Sequence, residues 1–350
     1  MARGVRALVL WRLTTSARAL RPAMLVRRAP RTSPAAPLAA MPPNGRRRHR
    51  TDDRDADLAT VFARHLLAHD NHVLAFNKPA GVLSQPDRTG DPSVNEYAVA
   101  WLERERGTKF AAAVQRLDRP CSGAMLVAAS SKAARRLSDC LAAGRVAKTY
   151  LVVVDAPHTD AVLRDDRGWL VDALTPAADA ATAARRTARV AVSHTRDAPT
   201  EADWRRFEAA VARVSPRARL AALEYAVLGR EGGQALLEVS LRRTGRRHQI
   251  RAQLAGIGAP VVGDDKYRGR LASRTVRRPS SSSGTTTAGV CALHALAIDA
   301  PHPIADRPPL RIVAPLSSAP WDGLVAPGLL RTAHDVVATR HRDTVVSSCR

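Results

Sequence analysis

Val114-Gln115-Arg116-Leu117-Asp118-Arg119-Pro120-Cys121-Ser122-Gly123 sets one carboxylate between two guanidinium groups, directly ahead of an apolar run over residues 124–129. Pro120, Ser122 and Gly123 read as a turn and the run as a buried strand, so Asp118 stands at the mouth of a strand. An acid between two arginines beside a buried strand has the address of a carboxylate with a chemical task. The structural alternative is an Arg-Asp-Arg surface ion pair at a turn.

Downstream, Ser131 is placed to cap a helix over residues 132–143 ended by Gly144, with Ala133, Ala134, Leu137 and Leu141 on its buried face. A strand rich in β-branched and aromatic residues follows over 147–154. Upstream, helical spacing of Leu58, Val61, Phe62 and Leu66 predicts a helix over 57–69, then a short strand over 73–76 and a Pro/Gly-broken loop over 77–84. Ser93 with Glu96 three residues on forms a capping box for a helix over 93–106. Residues 157–218 change to Ala, Arg, Asp and Thr with little periodicity, which reads as an insertion or extended excursion. Strands over 223–228 and 235–241 flank a Gly-rich hairpin signal, and a helix runs from 244–251 to Gly256 or Gly258. The Ser/Thr-rich part of 270–289 is expected to be a disordered loop, strands are expected over 290–298 and 310–313, and the tail beyond Ser318 is polar and weakly patterned.

The 350 residues carry 55 Lys plus Arg against 32 Asp plus Glu, a net charge of +23 that points to a polyanionic partner, nucleic acid first. Residues 1–50 hold twelve Arg, no Lys and no acid, leaving +11 for the other 300. Arg-rich, Ser-rich and acid-free, this arm reads as a mitochondrial presequence; the alternatives are a disordered basic arm on RNA, or a nuclear import patch at Arg46-Arg47-Arg48-His49-Arg50, with cytoplasmic or nuclear residence. No run of 18 apolar residues exists, so no membrane partner is expected. Four cysteines without a Cys-x-x-Cys pair signal neither a zinc site nor a disulfide framework.

Four motifs now fall in one order: Asn77-Lys78-Pro79-Ala80-Gly81; Arg116 to Gly123; Lys148-Thr149-Tyr150; and Gly245-Arg246-Arg247-His248-Gln249-Ile250-Arg251. With Gly263-Asp264 before Tyr267, and Leu293-His294-Ala295 before His302-Pro303, the chain resembles the RluA-type family of RNA pseudouridine synthases over residues 70–316. The resemblance implies an α+β fold with a long, mostly antiparallel mixed sheet and a central RNA cleft. It implies isomerisation of uridine to pseudouridine in ribosomal or transfer RNA, without metal or organic cofactor. The expected layout is a basic arm over 1–50, a catalytic domain over 57–318 and a tail over 319–350, in a monomer.

By position, the resemblance makes Asp118 the catalytic nucleophile, attacking the sugar C1′ or the uracil ring. Tyr150 matches the tyrosine that stacks on the uracil and is a candidate for taking the C5 proton, and Arg251 the arginine that pairs with the carboxylate. Arg116 matches the arginine that fills the gap left by the flipped base, with a phosphate contact as its alternative. Arg119, Lys148, Arg246, Arg247 and His248 are expected to bind RNA, and His294 and His302 to be structural. Gln115 and Cys121 depart from the His and Thr of many members, which implies altered neighbours around an intact nucleophile. Two rival functions stand beside this one: an RNA-binding or ribosome-assembly factor on the same fold, and a metal-dependent nuclease built on Asp118 and histidines.

Overall fold

The first helix, α1 (Thr51–His65), stops four residues short of its expected end because Asp70 turns the chain: its Oδ1 accepts the backbone N–H groups of His72 (2.7 Å) and Val73 (2.8 Å). Residues 66–69 therefore become a strand, pairing antiparallel with the strand over 73–78. The computed structural model describes residues 27–28, 51–155, 163, 165–176, 187–267, 290–318 and 321–348. Most of the basic arm and all of the Ser/Thr loop lie outside the described residues.

In chain order the elements are β1 (Arg27–Arg28), α1, β2 (Leu66–His69), β3 (Val73–Lys78), α2 (Val94–Arg106), β4 (Ala112–Ala113), β5 (Ser122–Ala128), α3 (Ser131–Ala142), β6 (Ala147–Asp155), β7 (Arg167–Pro176), β8 (Thr187–Thr195), α4 (Glu201–Val214), β9 (Arg219–Glu231), β10 (Gln234–Leu241), α5 (Gln249–Gly256), β11 (Leu293–Ala300), β12 (Leu310–Val313) and α6 (Pro327–Ser348). The strands form one mixed sheet in the order β1-β2-β3-β5-β11-β6-β10-β9-β7-β8, with β4 on β5 and β12 on β11. Among the described strands only β5 and β11 pair in parallel, so the long, mostly antiparallel sheet is as expected. No described helix is long and apolar enough to cross a membrane.

Alternation along the strands sorts the core into two faces. On one, Met125, Tyr150, Val152, Val239 and Leu223 pack against α1, α2 and the Ile250 and Leu254 side of α5. On the other, Leu126 meets α3, Leu151 and Leu236 meet α6, and Val171 and Ala222 meet Trp204 and Phe207 of α4.

Ser93 and Glu96 form the expected capping box, whereas the cap of α3 is Ser130 rather than Ser131. Two segments differ more. The stretch read as an excursion supplies β7, β8 and α4, which widen the sheet beyond β9. The tail read as weakly patterned becomes α6, whose Leu329, Ala333, Val336 and Val337 cover the second face together with Trp321.

Candidate active site

Asp118 sits on the loop between β4 and β5, Tyr150 on β6 and Arg251 on α5. The sheet order β5-β11-β6-β10 brings them together, since α5 follows β10 directly. Gly123 permits the close approach: its φ is 114° and a Cβ there would stand 2.3 Å from the Ala295 carbonyl oxygen of β11.

The loop that presents Asp118 is clamped by residues 78–84. Lys78, fully buried, donates from Nζ to the carbonyls of Pro79 (2.9 Å), Val82 (2.8 Å) and Arg119 (3.3 Å). Burial pulls its pKa down to about 8. Gly81 N–H donates to the Arg119 carbonyl at 2.7 Å, and Ser84 Oγ donates to the Leu117 carbonyl at 2.7 Å. Arg119 Nε donates back to the Gly81 carbonyl (2.9 Å) and Nη2 meets Asp91 (2.6 Å). Arg119, expected on RNA, thus ties two loops of the scaffold together.

Asp118 Oδ2 accepts from Arg251 Nη1 at 2.8 Å. The other side of the same guanidinium is fixed by Asp264, which accepts from Nε at 2.6 Å and Nη2 at 2.8 Å. Burial pulls the Arg251 pKa down, but the hydrogen bonds and charge of Asp264, with Asp118, more than offset this and hold it above the ordinary arginine value. Asp264 has no solvent exposure and also accepts the N–H groups of Lys266 and Tyr267. It follows Gly263, where φ is 78° and a Cβ would stand 2.0 Å from the Val290 carbonyl oxygen. Gly263-Asp264 was visible as a motif, but its role depends on Arg251, a partner that only the tertiary fold reveals.

Asp118 Oδ1 has no such clamp. His248 Nε2 is 3.7 Å away, beyond hydrogen-bond reach, and Asp118 lines a cavity of about 560 Å3. That volume falls within the range of small-molecule sites, about 300–1,000 Å3. His248, expected on RNA backbone, instead faces the carboxylate from a left-handed backbone, φ 56°, at the N-terminus of α5. Its Nδ1 is 2.9 Å from the Tyr267 hydroxyl, and burial lowers its pKa to about 4, so the ring is neutral at pH 7.

Tyr150 is buried in the cavity wall, and burial, then the charge of Asp118 and its neighbour Cys121, raises the phenol above its ordinary pKa. Lys148, expected to contact RNA, is also buried; its Nζ donates to the Thr244 carbonyl at 3.2 Å, and burial lowers its pKa to about 8. Arg116, Arg246 and Arg247 are exposed around the cavity, with Arg246 Nε donating to the Leu220 carbonyl at 3.2 Å. Behind Asp118, the neighbouring Cys291 thiol and burial together raise the Cys121 thiol well above its usual pKa. Gln115 lines the cavity, and its buried Nε2 has no hydrogen-bond partner among the described residues.

His294 lies between Ser122 Oγ (2.9 Å) and the Ala314 carbonyl (3.2 Å), and His302 meets Asp70 Oδ2 at 2.8 Å, so both serve the scaffold. Among the described residues no three His, Cys, Asp or Glu side chains converge as a metal site, and the nuclease alternative finds no ligand set there.

Comparison with known proteins gives the same direction. The chain is 29% identical over 260 residues to tRNA pseudouridine synthase C of Pectobacterium carotovorum, covering 74% of this chain and 61% of that protein. It is 31% identical over 259 residues to ribosomal large subunit pseudouridine synthase D of Xylella fastidiosa, covering 72% of this chain and 65% of that protein. The chain therefore spans somewhat less than two thirds of the length of these relatives. Human RNA pseudouridylate synthase domain containing 4 shares the fold, with a TM-score of 0.55 at 19% identity over 80% of this chain and 97% of that one. Residues 72–256, more than half of the chain and inclusive of Asp118, Tyr150 and Arg251, match the family model of RNA pseudouridylate synthases, and the chain belongs to that family.

Proposed function

We propose that this protein converts uridine in RNA to pseudouridine, with Asp118 as its nucleophile. One observation carries the reading: Asp118 has one oxygen held at 2.8 Å by an arginine that Asp264 locks from behind, while the other faces the Tyr150-lined cavity. A clamped carboxylate with one open oxygen is oriented for attack without rearrangement.

In this isomerisation the C1′–N1 bond breaks, the base turns and a C1′–C5 bond forms. The C5 hydrogen leaves as a proton and N1 gains one, so no redox equivalent is consumed. Asp118 bonds transiently to C1′ or to the uracil ring. The target base must leave its helix to reach the cavity, at about a few kcal/mol, and Arg116 at the rim fits the space it vacates. Tyr150, kept protonated by burial, stacks on the uracil; to take the C5 proton it must first give up its own. The relatives' names favour structured ribosomal or transfer RNA as substrate, and the basic rim suits a phosphate backbone. The test is RNA carrying tritium at uridine C5: the wild-type protein releases tritium to water and Asp118→Asn does not. RNA binding without release by the wild type would favour the assembly-factor alternative.

The acid-free, twelve-Arg arm supports mitochondrial residence. A tagged chain is expected to lose that location, and keep turnover, on deletion of residues 1–50; unchanged location would refute it. A monomer is the expected working state, and light scattering at a dimer mass would refute that.

A further inference from the structure

We propose a second RNA site on the reverse face of the sheet, where Arg145, Arg242, Arg311 and Arg340 surround a cavity of about 480 Å3 that takes the phosphodiester backbone of the strand leaving the catalytic cleft. The inference rests on the RNA reading above and extends it.

Strand alternation fixes the face. Lys148 and Tyr150 of β6 point to the catalytic side, so Ala147 and Thr149 point away from it, beside Ser240 of β10 and Asp299 of β11. These residues form the floor. The walls come from four separate places: Arg145 from the loop after α3, Arg242 from the end of β10, Arg311 from β12 and Arg340 from α6. Four guanidinium groups drawn to one concavity repel one another in the free protein, an arrangement that a polyanion reverses.

Two of the four arginines have carboxylate neighbours, and the other two carry the open charge. Asp299 is the one acid of the lining among the described residues and lies opposite Arg311 across the β11–β12 pair. Arg340 Nη2 meets both oxygens of Glu238, at 3.2 and 3.0 Å. Arg145 and Arg242 are exposed and have no ion-pair partner within 4 Å among the described residues.

Continuity with the cleft selects the ligand. Lys148 and Arg242 line both cavities, so the two meet at the shared end of β6 and β10. A strand running over Arg246 and Arg243 from the cleft reaches Arg242 and then the reverse face. Phosphates so held position the RNA and read no sequence, which makes the site a means of gripping flanking strand on any substrate.

Equilibrium binding tests this without turnover. The double variant Arg145→Gln/Arg311→Gln is measured on a minimal hairpin and on the same hairpin with a long single-stranded flank. Expected are unchanged affinity for the hairpin, a loss of several-fold to about tenfold for the flanked RNA, and a salt-dependence slope lower by about one. Arg145→Glu, on an exposed loop, repeats the test should the double variant melt early. Equal affinity of wild type and variants for the flanked RNA overturns the site. Inorganic phosphate binding that the variants abolish, with flanked RNA unaffected, replaces it with a free-anion site and overturns the RNA assignment. Tritium release by the wild type is scored separately, so a protein that grips the flank but never isomerises refutes the proposed function and not this site.

Discussion

Two carboxylates meet helix α5, one half-buried and one fully buried, and they behave differently. Asp118 meets Arg251 on one side of the helix, and Asp172 of β7 meets Gln253 two residues on. Around Asp172 no oxygen reaches open volume: Arg189 Nε lies 2.8 Å from Oδ1 as an ion pair without hydrogen-bond geometry, Gln253 Nε2 donates to Oδ2 at 2.6 Å, and the side chain has no exposure. Burial raises its pKa despite these partners. Around Asp118 the arginine is committed on its far side to Asp264, and one carboxylate oxygen is left to the cavity. The lesson is that an acid–arginine pair in a sheet core is scaffold unless an oxygen of it reaches open volume.

Asp118→Asn and Asp172→Asn break that comparison most sharply. Asp118→Asn should lower pseudouridine formation by more than about a thousandfold with little change in RNA affinity or stability. Asp172→Asn should leave turnover within about twofold and lower stability by about 1–2 kcal/mol in urea unfolding. The reverse pattern would interchange scaffold and site. Asp264→Ala should lower stability by about 3–5 kcal/mol, because Arg251 is left buried with only Asp118, and turnover should fall with it. Turnover that survives Asp264→Ala would mean Arg251 needs no second carboxylate.

Acid titration sharpens the comparison with histidines in place of acids. Burial depresses both His248, which faces Asp118, and His294, which ties β11 to Ser122, to about 4 in the folded protein. Against an unfolded value near 6.5, the fold holds these rings neutral. Their contribution is thus complete above about pH 6.5 and is lost as pH falls towards 4, by about 3 kcal/mol for the fully buried His294. His294→Gln should flatten that acid decline in unfolding free energy without moving the pH profile of turnover; a shifted profile would give His294 a part in the chemistry. The smallest effect is expected at the clamp: Ser84→Ala should lower stability by about 1 kcal/mol through the lost bonds to Leu117.

Much of the fold was legible because the relevant signals are local. The Ser93–Glu96 box, the apolar strands around 124 and 150, and the Gly-rich hairpin before β10 all depend on neighbours in sequence. The misread parts depend on distant partners. β7 had one local signal in the apolar run Trp169-Leu170-Val171, but β8 carries Ala, Arg and Thr, and Ala173 of β7 packs against Val211 of α4. The spacing of Leu329, Ala333, Val336 and Val337 is helical, so α6 had a signal in a background of charge. In the candidate site, Asp118, Tyr150 and Arg251 converge as their motifs implied. Charge alone could not sort the other basic residues: Arg119 and Lys148 bond to carbonyls of the scaffold, and His248 turns inward on a left-handed backbone.

The most direct test of the central claim is pseudouridine content, measured by nuclease digestion and mass spectrometry, in unmodified ribosomal and transfer RNA incubated with wild type, Asp118→Asn or Asp172→Asn. Pseudouridine formed by wild type and Asp172→Asn, and none by Asp118→Asn, is the predicted result. Formation by Asp118→Asn at the wild-type rate would contradict the account, because the open carboxylate would then not be the group that does the chemistry.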